Sequence, residues 1–238
     1  MNTPRNSRAL LHALPGFILL LALLLAAGCR THGYDKGDVA GKSLRKAAAE
    51  VQAESRALDA TVEALNDLVA HPAPDLKPQF RRYSEALARL ETAAVKTERT
   101  RERMESKSAK YFTTWDKQMA EINYGIVREQ SEARRSEVTN RIHSINSRYQ
   151  DAQAVVRPLI TYFNDIRTAL SVDLTAAGLE SVRSIVNNAD GNSRKVQMAL
   201  GRLTEDLTAS GTGLSSEAVR VREGDAPTQA TDPSIGNK

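Results

Sequence analysis

The chain has 238 residues, of which 41% are hydrophobic and only 5% aromatic, with 33 Lys and Arg against 29 Asp and Glu. Its single cysteine excludes an internal disulfide framework and any zinc or iron–sulfur site built from several cysteines. The formal charge of +4 is too small to argue for nucleic-acid binding by itself.

The first 28 residues read as a secretory signal peptide. Arg5 and Arg8 supply the positive start, and residues 17–27 form an unbroken apolar run. A run of this length is too short to span a bilayer as a helix, which takes about 20 residues. We therefore exclude residues 1–28 from the folded protein.

The apolar run ends in Ala26, Ala27 and Gly28, immediately before the only cysteine, Cys29. This resembles the bacterial lipoprotein cleavage box, in which the cysteine becomes the lipidated first residue. The alternative is a plain signal peptide followed by an unmodified cysteine. Arg30 follows in place of the Asp that retains enteric lipoproteins at the inner membrane, which favours the outer membrane facing the periplasm.

The next 170 residues are poor in helix breakers and predict long helices. Gly125 is the only glycine between Gly41 and Gly178, and Pro158 the only proline between Pro78 and Pro227. Apolar residues recur at steps of three and four, which is a heptad period. We predict an all-α fold: an elongated antiparallel coiled-coil bundle of three or four long helices over residues 43–209, with no sheet.

Four apolar stripes define the helices. The first contains Leu44, Ala48, Val51, Ser55, Leu58, Val62, Leu65 and Val69. The second contains Phe80, Tyr83, Leu87, Leu90, Ala94, Thr97, Arg101 and Met104, and resumes at Tyr111, Trp115, Ile122 and Ile126. The third contains Val138, Ile142, Ile145, Tyr149, Ala152, Val156, Leu159, Phe163, Ile166 and Leu170. The fourth contains Leu179, Val182, Val186, Ala189, Ser193, Val196, Leu200, Leu203 and Leu207.

Local chemistry sets the boundaries. Residues 29–42 are predicted to be a flexible tether behind the lipidated cysteine, and the prolines of residues 71–75 to break the chain. Gly125 marks either a turn or a kink, and Pro158 should kink the third helix. Cap-type residues at 171–175 precede the fourth helix. Residues 210–238 are predicted to be a disordered tail.

No motif indicates an enzyme or a cofactor. The segment 37–43 resembles a phosphate-binding loop but has three residues between its glycines instead of four. The histidines of the mature chain, His32, His71 and His143, lie in different segments, so we predict no metal site. No catalytic residue, small-molecule substrate or nucleic-acid site is indicated.

Two groups are candidate interaction surfaces. Tyr111, Phe112 and Trp115 form an aromatic group that Tyr162 and Phe163 are predicted to face. The five rings are either a buried part of the core or an exposed apolar contact surface. Residues 77–110 hold ten Lys and Arg against five acids. A solvated, salt-bridged helix face is the favoured interpretation, and adhesion to a membrane or an anionic envelope polymer is the alternative.

With these residues in view, the chain resembles the bacterial lipoprotein family catalogued as domain of unknown function 2959. The similarity runs from Gly33-Tyr34 to about Leu207, and it includes Tyr111-Phe112 with Trp115-Asp116, Arg134-Arg135, Val156-Arg157-Pro158-Leu159 and Phe163-Asn164-Asp165. The resemblance implies a helical, membrane-tethered envelope protein and assigns no catalytic residue.

We expect a non-enzymatic, lipid-anchored periplasmic coiled-coil protein that acts as a scaffold or protein-interaction adaptor. Its partners would be the membrane, through the lipid on Cys29, and a second protein or a second copy of itself. The alternative function is a membrane-active or envelope-polymer-binding module that uses the basic face of Lys77–Lys110.

Overall fold

The structure is a computed structural model that describes residues 33–216. In these residues it contains four α-helices and no strand: α1 Gly33–Ala70, α2 Lys77–Met119, α3 Gly125–Val172 and α4 Ala176–Gly213. The predicted all-α class is confirmed over this range.

Each helix packs against two others, α1 and α3 both lying between α2 and α4. The contacts of α2 with α3 show an antiparallel pair. Near the start of α2, the Tyr83 hydroxyl donates to the Phe163 carbonyl near the end of α3, at 2.6 Å. Near the end of α2, Asp116 accepts from Arg135 near the start of α3, at 2.9 Å. The chain therefore turns before Gly125, and the choice between a turn and a kink is settled in favour of the turn.

The apolar stripes form the core, except at the end of the second stripe, where the predicted member Ile126 is 60% exposed in the first turn of α3. Every residue of the third and fourth stripes is buried, as predicted. The first stripe departs at two places, where Ser55 and Val62 are only half-buried and Glu54 and Thr61 are buried instead. The buried positions of α1 recur every seven residues at 47, 54, 61 and 68. Each of them lies one residue before the predicted series 48, 55, 62 and 69.

The predicted break at residues 71–75 is confirmed, and one side chain organises it. The Gln79 amide donates to the His71 carbonyl at 2.9 Å and to the Asp67 carbonyl at 3.2 Å. Its oxygen accepts from the Ala73 amide at 2.8 Å. Gln79 thus satisfies backbone groups that the two prolines and the helix ends leave without partners.

The predicted cap of the last helix is also confirmed. Thr175 is the N-cap of α4, and its hydroxyl accepts from the Gly178 amide at 3.2 Å. Pro158 lies inside α3, and the helix continues beyond it to Val172.

The predicted tether is wrong for residues 33–42, because α1 already begins at Gly33. The glycines that make these residues weak helix formers are required by packing. A Cβ atom on Gly41 would lie 2.7 Å from the Gly211 carbonyl oxygen, and one on Gly211 would lie 2.9 Å from the Gly41 carbonyl oxygen. Only glycine at both positions allows α1 and α4 to approach this closely.

The disordered tail predicted for residues 210–238 is wrong for residues 210–213, because these residues form the end of α4 and pack against α1. α4 continues to Gly213, and the Arg45 guanidinium donates to the Gly211 carbonyl at 2.9 Å. Beyond the helix, Asp38 accepts from the Ser216 amide at 2.7 Å and from its hydroxyl at 2.9 Å. The start of α1 thus holds the end of α4, and the remainder of the predicted tail lies outside the described residues.

Replacing Gly41 with alanine should destabilise the bundle. The new methyl group would overlap the Gly211 carbonyl oxygen, which cannot move without moving α4. We expect this overlap to lower the free energy of unfolding by about 1–3 kcal/mol. Gly201→Ala is the matched control: Gly201 is exposed on α4 with nothing within 4 Å of an added Cβ. It should raise the free energy of unfolding by about 0.5–1 kcal/mol. Urea unfolding followed by circular dichroism measures both, and equal effects of the two substitutions would contradict the close approach.

Candidate functional site

The predicted anchor residues, Cys29 with Ala26, Ala27 and Gly28, lie outside the described residues. The described chain begins at Gly33, four positions after Cys29. A lipid on Cys29 would therefore be attached to the chain directly before the first helix of the bundle.

The first aromatic group joins α2 to α3. Tyr111, Phe112 and Trp115 are half-buried, with the rings of Tyr111 and Trp115 centred 5.2 Å apart. The Trp115 indole donates to the Ser131 hydroxyl of α3 at 2.9 Å, and the Arg135 guanidinium lies 5.4 Å above the Phe112 ring. These hydrogen-bond and cation–π contacts make the group a clasp within the hairpin.

The second aromatic pair does not face the first, so that prediction is wrong. Phe163 is fully buried and contacts the start of α2 through its carbonyl, which accepts from Tyr83. Tyr162 is half-buried and donates to the Ile185 carbonyl of α4. Antiparallel pairing places Phe112 opposite Arg135 at one end of the α2–α3 pair and Phe163 at the other. Phe163 cannot belong to an interaction surface.

The cations of residues 77–110 concentrate on one side of α2. At 100° per residue, seven of them fall within one quadrant of the helix, and only Glu85 interrupts them with a negative charge. We call this the basic face; it comprises Arg81, Arg89, Lys96, Arg99, Arg103, Lys107 and Lys110. All seven are exposed, along about 44 Å of helix.

Within the described residues, only Lys96 of the basic face forms an ion pair, with Glu50 of α1 at 2.9 Å. Several acids of the same segment point elsewhere. Glu98 and Glu105 both bind Arg101, and Glu91 accepts from Asn164 of α3 at 2.7 Å. The expectation of a salt-bridged face holds for Arg101, whereas the basic face itself is largely uncompensated.

A buried carboxyl group, Glu54, has no counterpart in the predicted apolar stripes. It is 0% exposed in the middle of α1, and neither carboxylate oxygen has a hydrogen-bond partner in the described part of the chain. Burial raises the pKa of Glu54, and the nearby Glu98 carboxylate raises it further. The Thr97 hydroxyl acts in the opposite direction, but it donates to the Glu50 carbonyl at 3.4 Å.

A second partnerless group lies close to Glu54. Tyr149 of α3 is 1% exposed, and its hydroxyl has no hydrogen-bond partner within residues 33–216. Burial raises the pKa of the Tyr149 phenol, and the Glu54 carboxylate adds to this shift. The ring lines a cavity of about 350 Å³ that also touches Glu98, Arg101 and Arg157. Neither side chain has a hydrogen-bond partner among the described residues and both are buried, so we regard Glu54 and Tyr149 as a polar layer of the core.

A groove of about 760 Å³ runs between α1 and α4, lined by Asp59, Glu63, Asp67 and Arg194 among others. Gln197 bridges it, donating to the Ser55 carbonyl at 3.0 Å. Over the described range, no three His, Cys, Asp or Glu side chains are placed to hold a metal ion. None of the four described helices is long and apolar enough to cross a membrane.

The buried carboxyl group predicts a pH dependence of stability. Because the folded pKa of Glu54 lies above its ordinary value of 4.5, the folded protein binds this proton more tightly than the unfolded chain. The free energy of unfolding should therefore fall as pH rises above about 4.5, by at most about 1.4 kcal/mol per pH unit, until the folded pKa is reached.

Glu54→Gln should remove this fall and stabilise the protein at neutral pH. Glu63→Gln, an exposed position on the same helix, is the control and should retain the fall. Urea unfolding between pH 4.5 and 8 measures the difference. An unchanged pH profile in Glu54→Gln would show that the Glu54 carboxyl group is solvated in the folded protein.

The comparison with known families agrees with the resemblance. The family described as protein of unknown function DUF2959 matches residues 27–210, which span all of α1, α2 and α3 and most of α4. No curated protein and no solved structure is significantly similar to the chain. The chain belongs to the DUF2959 family.

Proposed function

We propose that this protein is a non-enzymatic, lipid-anchored scaffold or adaptor of the bacterial cell envelope, held at the outer membrane by Cys29 and exposed to the periplasm. The observation that carries the proposal is the placement of α1. It begins at Gly33, so at most about 14 Å of chain separates a lipid on Cys29 from the helical bundle.

The dimensions of the helices support a scaffold. α3 has 48 residues and is about 72 Å long, and its neighbours run antiparallel to it. Heptad-spaced core residues in helices of this length favour an elongated antiparallel coiled coil. Such a rod presents long outer faces to a protein partner, and the basic face of α2 is the most extended one.

The anchor is tested by labelling cells with an alkyne fatty acid. The wild-type protein should carry the label and sediment with the outer membrane in a density gradient. Cys29→Ser should carry no label, because serine cannot form the thioether to the lipid. Thr31→Ser, two residues away, is the control and should be labelled like the wild type. Label that persists on Cys29→Ser would contradict lipidation at this residue.

A second function is favoured by the uncompensated charge of the basic face. Six exposed cations without ion pairs in the described chain attract a polyanion over a long contact, and salt weakens this attraction. On this hypothesis the protein binds an anionic envelope polymer.

A photo-crosslinking amino acid at Arg99 separates the two functions. If the basic face binds a protein, ultraviolet light on intact cells should give a discrete protein adduct whose crosslinked peptides are acidic. The same amino acid at Thr208, exposed on α4, is the control and should give none.

The opposite outcome has its own signature. Absence of a discrete adduct at Arg99, with binding of the residue 30–238 protein to purified peptidoglycan at low salt only, would contradict the adaptor. Loss of that binding in Arg99→Glu combined with Arg103→Glu would then assign the polymer to the basic face.

A further inference from the structure

The turn between α2 and α3 exposes an unusual amount of apolar surface. We call residues 122–127 the hairpin tip. Tyr124, Ile126 and Val127 are 67%, 60% and 52% exposed, three large apolar side chains within four residues. Elsewhere in the described chain such side chains occur singly; they are Tyr34, Val39, Val95, Val155, Val172, Ile185 and Met198. A contiguous exposed apolar patch marks a contact surface more often than scattered residues do.

The hairpin tip is a built structure. The Arg128 guanidinium donates to the Ile122 carbonyl at 3.2 Å across the turn, and the Trp115 indole binds Ser131 just below it. The apolar side chains are therefore presented on a fixed turn whose polar backbone is in part satisfied from within.

Within residues 33–216, the hairpin tip projects beyond the start of α1 and the end of α4. Gly33, the first residue of α1, lies beside the Gln118 side chain near the end of α2. At the same end of the bundle, Asp38 holds Ser216. The turn after α2 and the first turn of α3 consequently extend past the start of α1.

The predicted lipid is attached to the chain shortly before this end of the bundle. Cys29 precedes Gly33 by four positions, so its Cα atom is within about 14 Å of the start of α1. Tyr34, which is 62% exposed, adds a further aromatic ring in the first turn of α1. A membrane that holds the lipid is therefore the nearest apolar phase to the hairpin tip.

We propose that the hairpin tip enters the interfacial layer of the bilayer that holds the lipid of Cys29, so that the helical bundle stands on the membrane on this end. The proposal rests on the lipid anchor of the proposed function and adds a second contact. Tyrosine prefers the interface between lipid and water, and Ile126 and Val127 bury apolar surface below it. The acyl chains supply affinity, and the hairpin tip sets orientation.

The test uses single tryptophans as depth probes. Trp115 is the only tryptophan of the chain, so Trp115→Phe gives a background without this fluorophore. The lipidated protein is reconstituted into vesicles of phosphatidylethanolamine and phosphatidylglycerol that contain brominated acyl chains. Tyr124→Trp should lose fluorescence to the bromines and shift its emission to the blue. Val172→Trp, 85% exposed at the opposite end of α3, is the control and should keep its fluorescence.

A third probe, Thr92→Trp, lies between Arg89 and Lys96 on the exposed side of α2. Quenching there would show a bundle lying flat on its basic face and would overturn the proposal. An unquenched Tyr124→Trp on protein that sediments with the vesicles would also overturn it. Protein that does not sediment would refute the anchor itself, and with it the orientation.

Two further measurements keep the result independent of the Trp115 substitution. In the lipidated protein the thiol of Cys29 is consumed, so Tyr124→Cys offers one site for a nitroxide label with Trp115 in place. The label should become inaccessible to a water-soluble relaxation agent on vesicles. A label that becomes immobile with rising protein concentration and no vesicles would instead assign the hairpin tip to contact between two copies of the chain.

Discussion

The close approach of Gly41 and Gly211 closes the bundle. Short links bring α1 to α2, α2 to α3 and α3 to α4, but α1 and α4 are joined only by contacts across 170 residues of sequence. Without that contact the α1 and α4 stripes would each keep an edge in water, and long helices with one apolar stripe depend on burying it. Arg45 then binds the Gly211 carbonyl near the end of α4, and Asp38 binds the Ser216 amide just beyond the helix, which fixes the register.

The core that this closure creates is uneven along its length. Near the links at residues 71–76 and 173–175, α2 contributes Tyr83, Leu87 and Leu90. Towards the hairpin tip it contributes Met104 together with the polar residues Thr97, Thr100 and Ser108, in the half of the core that also holds Glu54 and Tyr149. Polar groups buried without partners reduce the free energy of unfolding, so this half depends more on the aromatic clasp of Phe112 and Trp115. It is the half from which the chain would be anchored.

Periodicity predicted much of this fold, and its failures have physical causes. Every predicted residue of the third and fourth stripes is buried. In these helices each turn carries an apolar residue on the same face, so only that face can form the core. Glu54 was missed because a ranking by hydrophobicity prefers Ser55 beside it, whereas the seven-residue spacing decides. The start of α1 was missed because Gly37 and Gly41 disfavour a helix locally, and only distant contacts explain them. Gly37 lies against Tyr111 and Leu214, and Gly41 lies against Gly211. The exposure of Tyr124 and Ile126 also had no sequence signal, since an apolar residue near a turn reads equally as core.

The upright orientation that we propose would change the role of the basic face. A patch of cations at the membrane would add adhesion there, but on a standing rod the basic face rises from near the hairpin tip at Lys110 to Arg81, about 44 Å farther away. Electrostatic attraction is screened beyond about 10 Å at 0.1 M salt, so most of these cations could not act on the lipid headgroups below. They would act on a partner that runs alongside the rod, at a distance from the membrane fixed by the helices. On this proposal, the lipid and the hairpin tip would determine the position and orientation of the protein on the membrane, and α2 would determine which partner it binds.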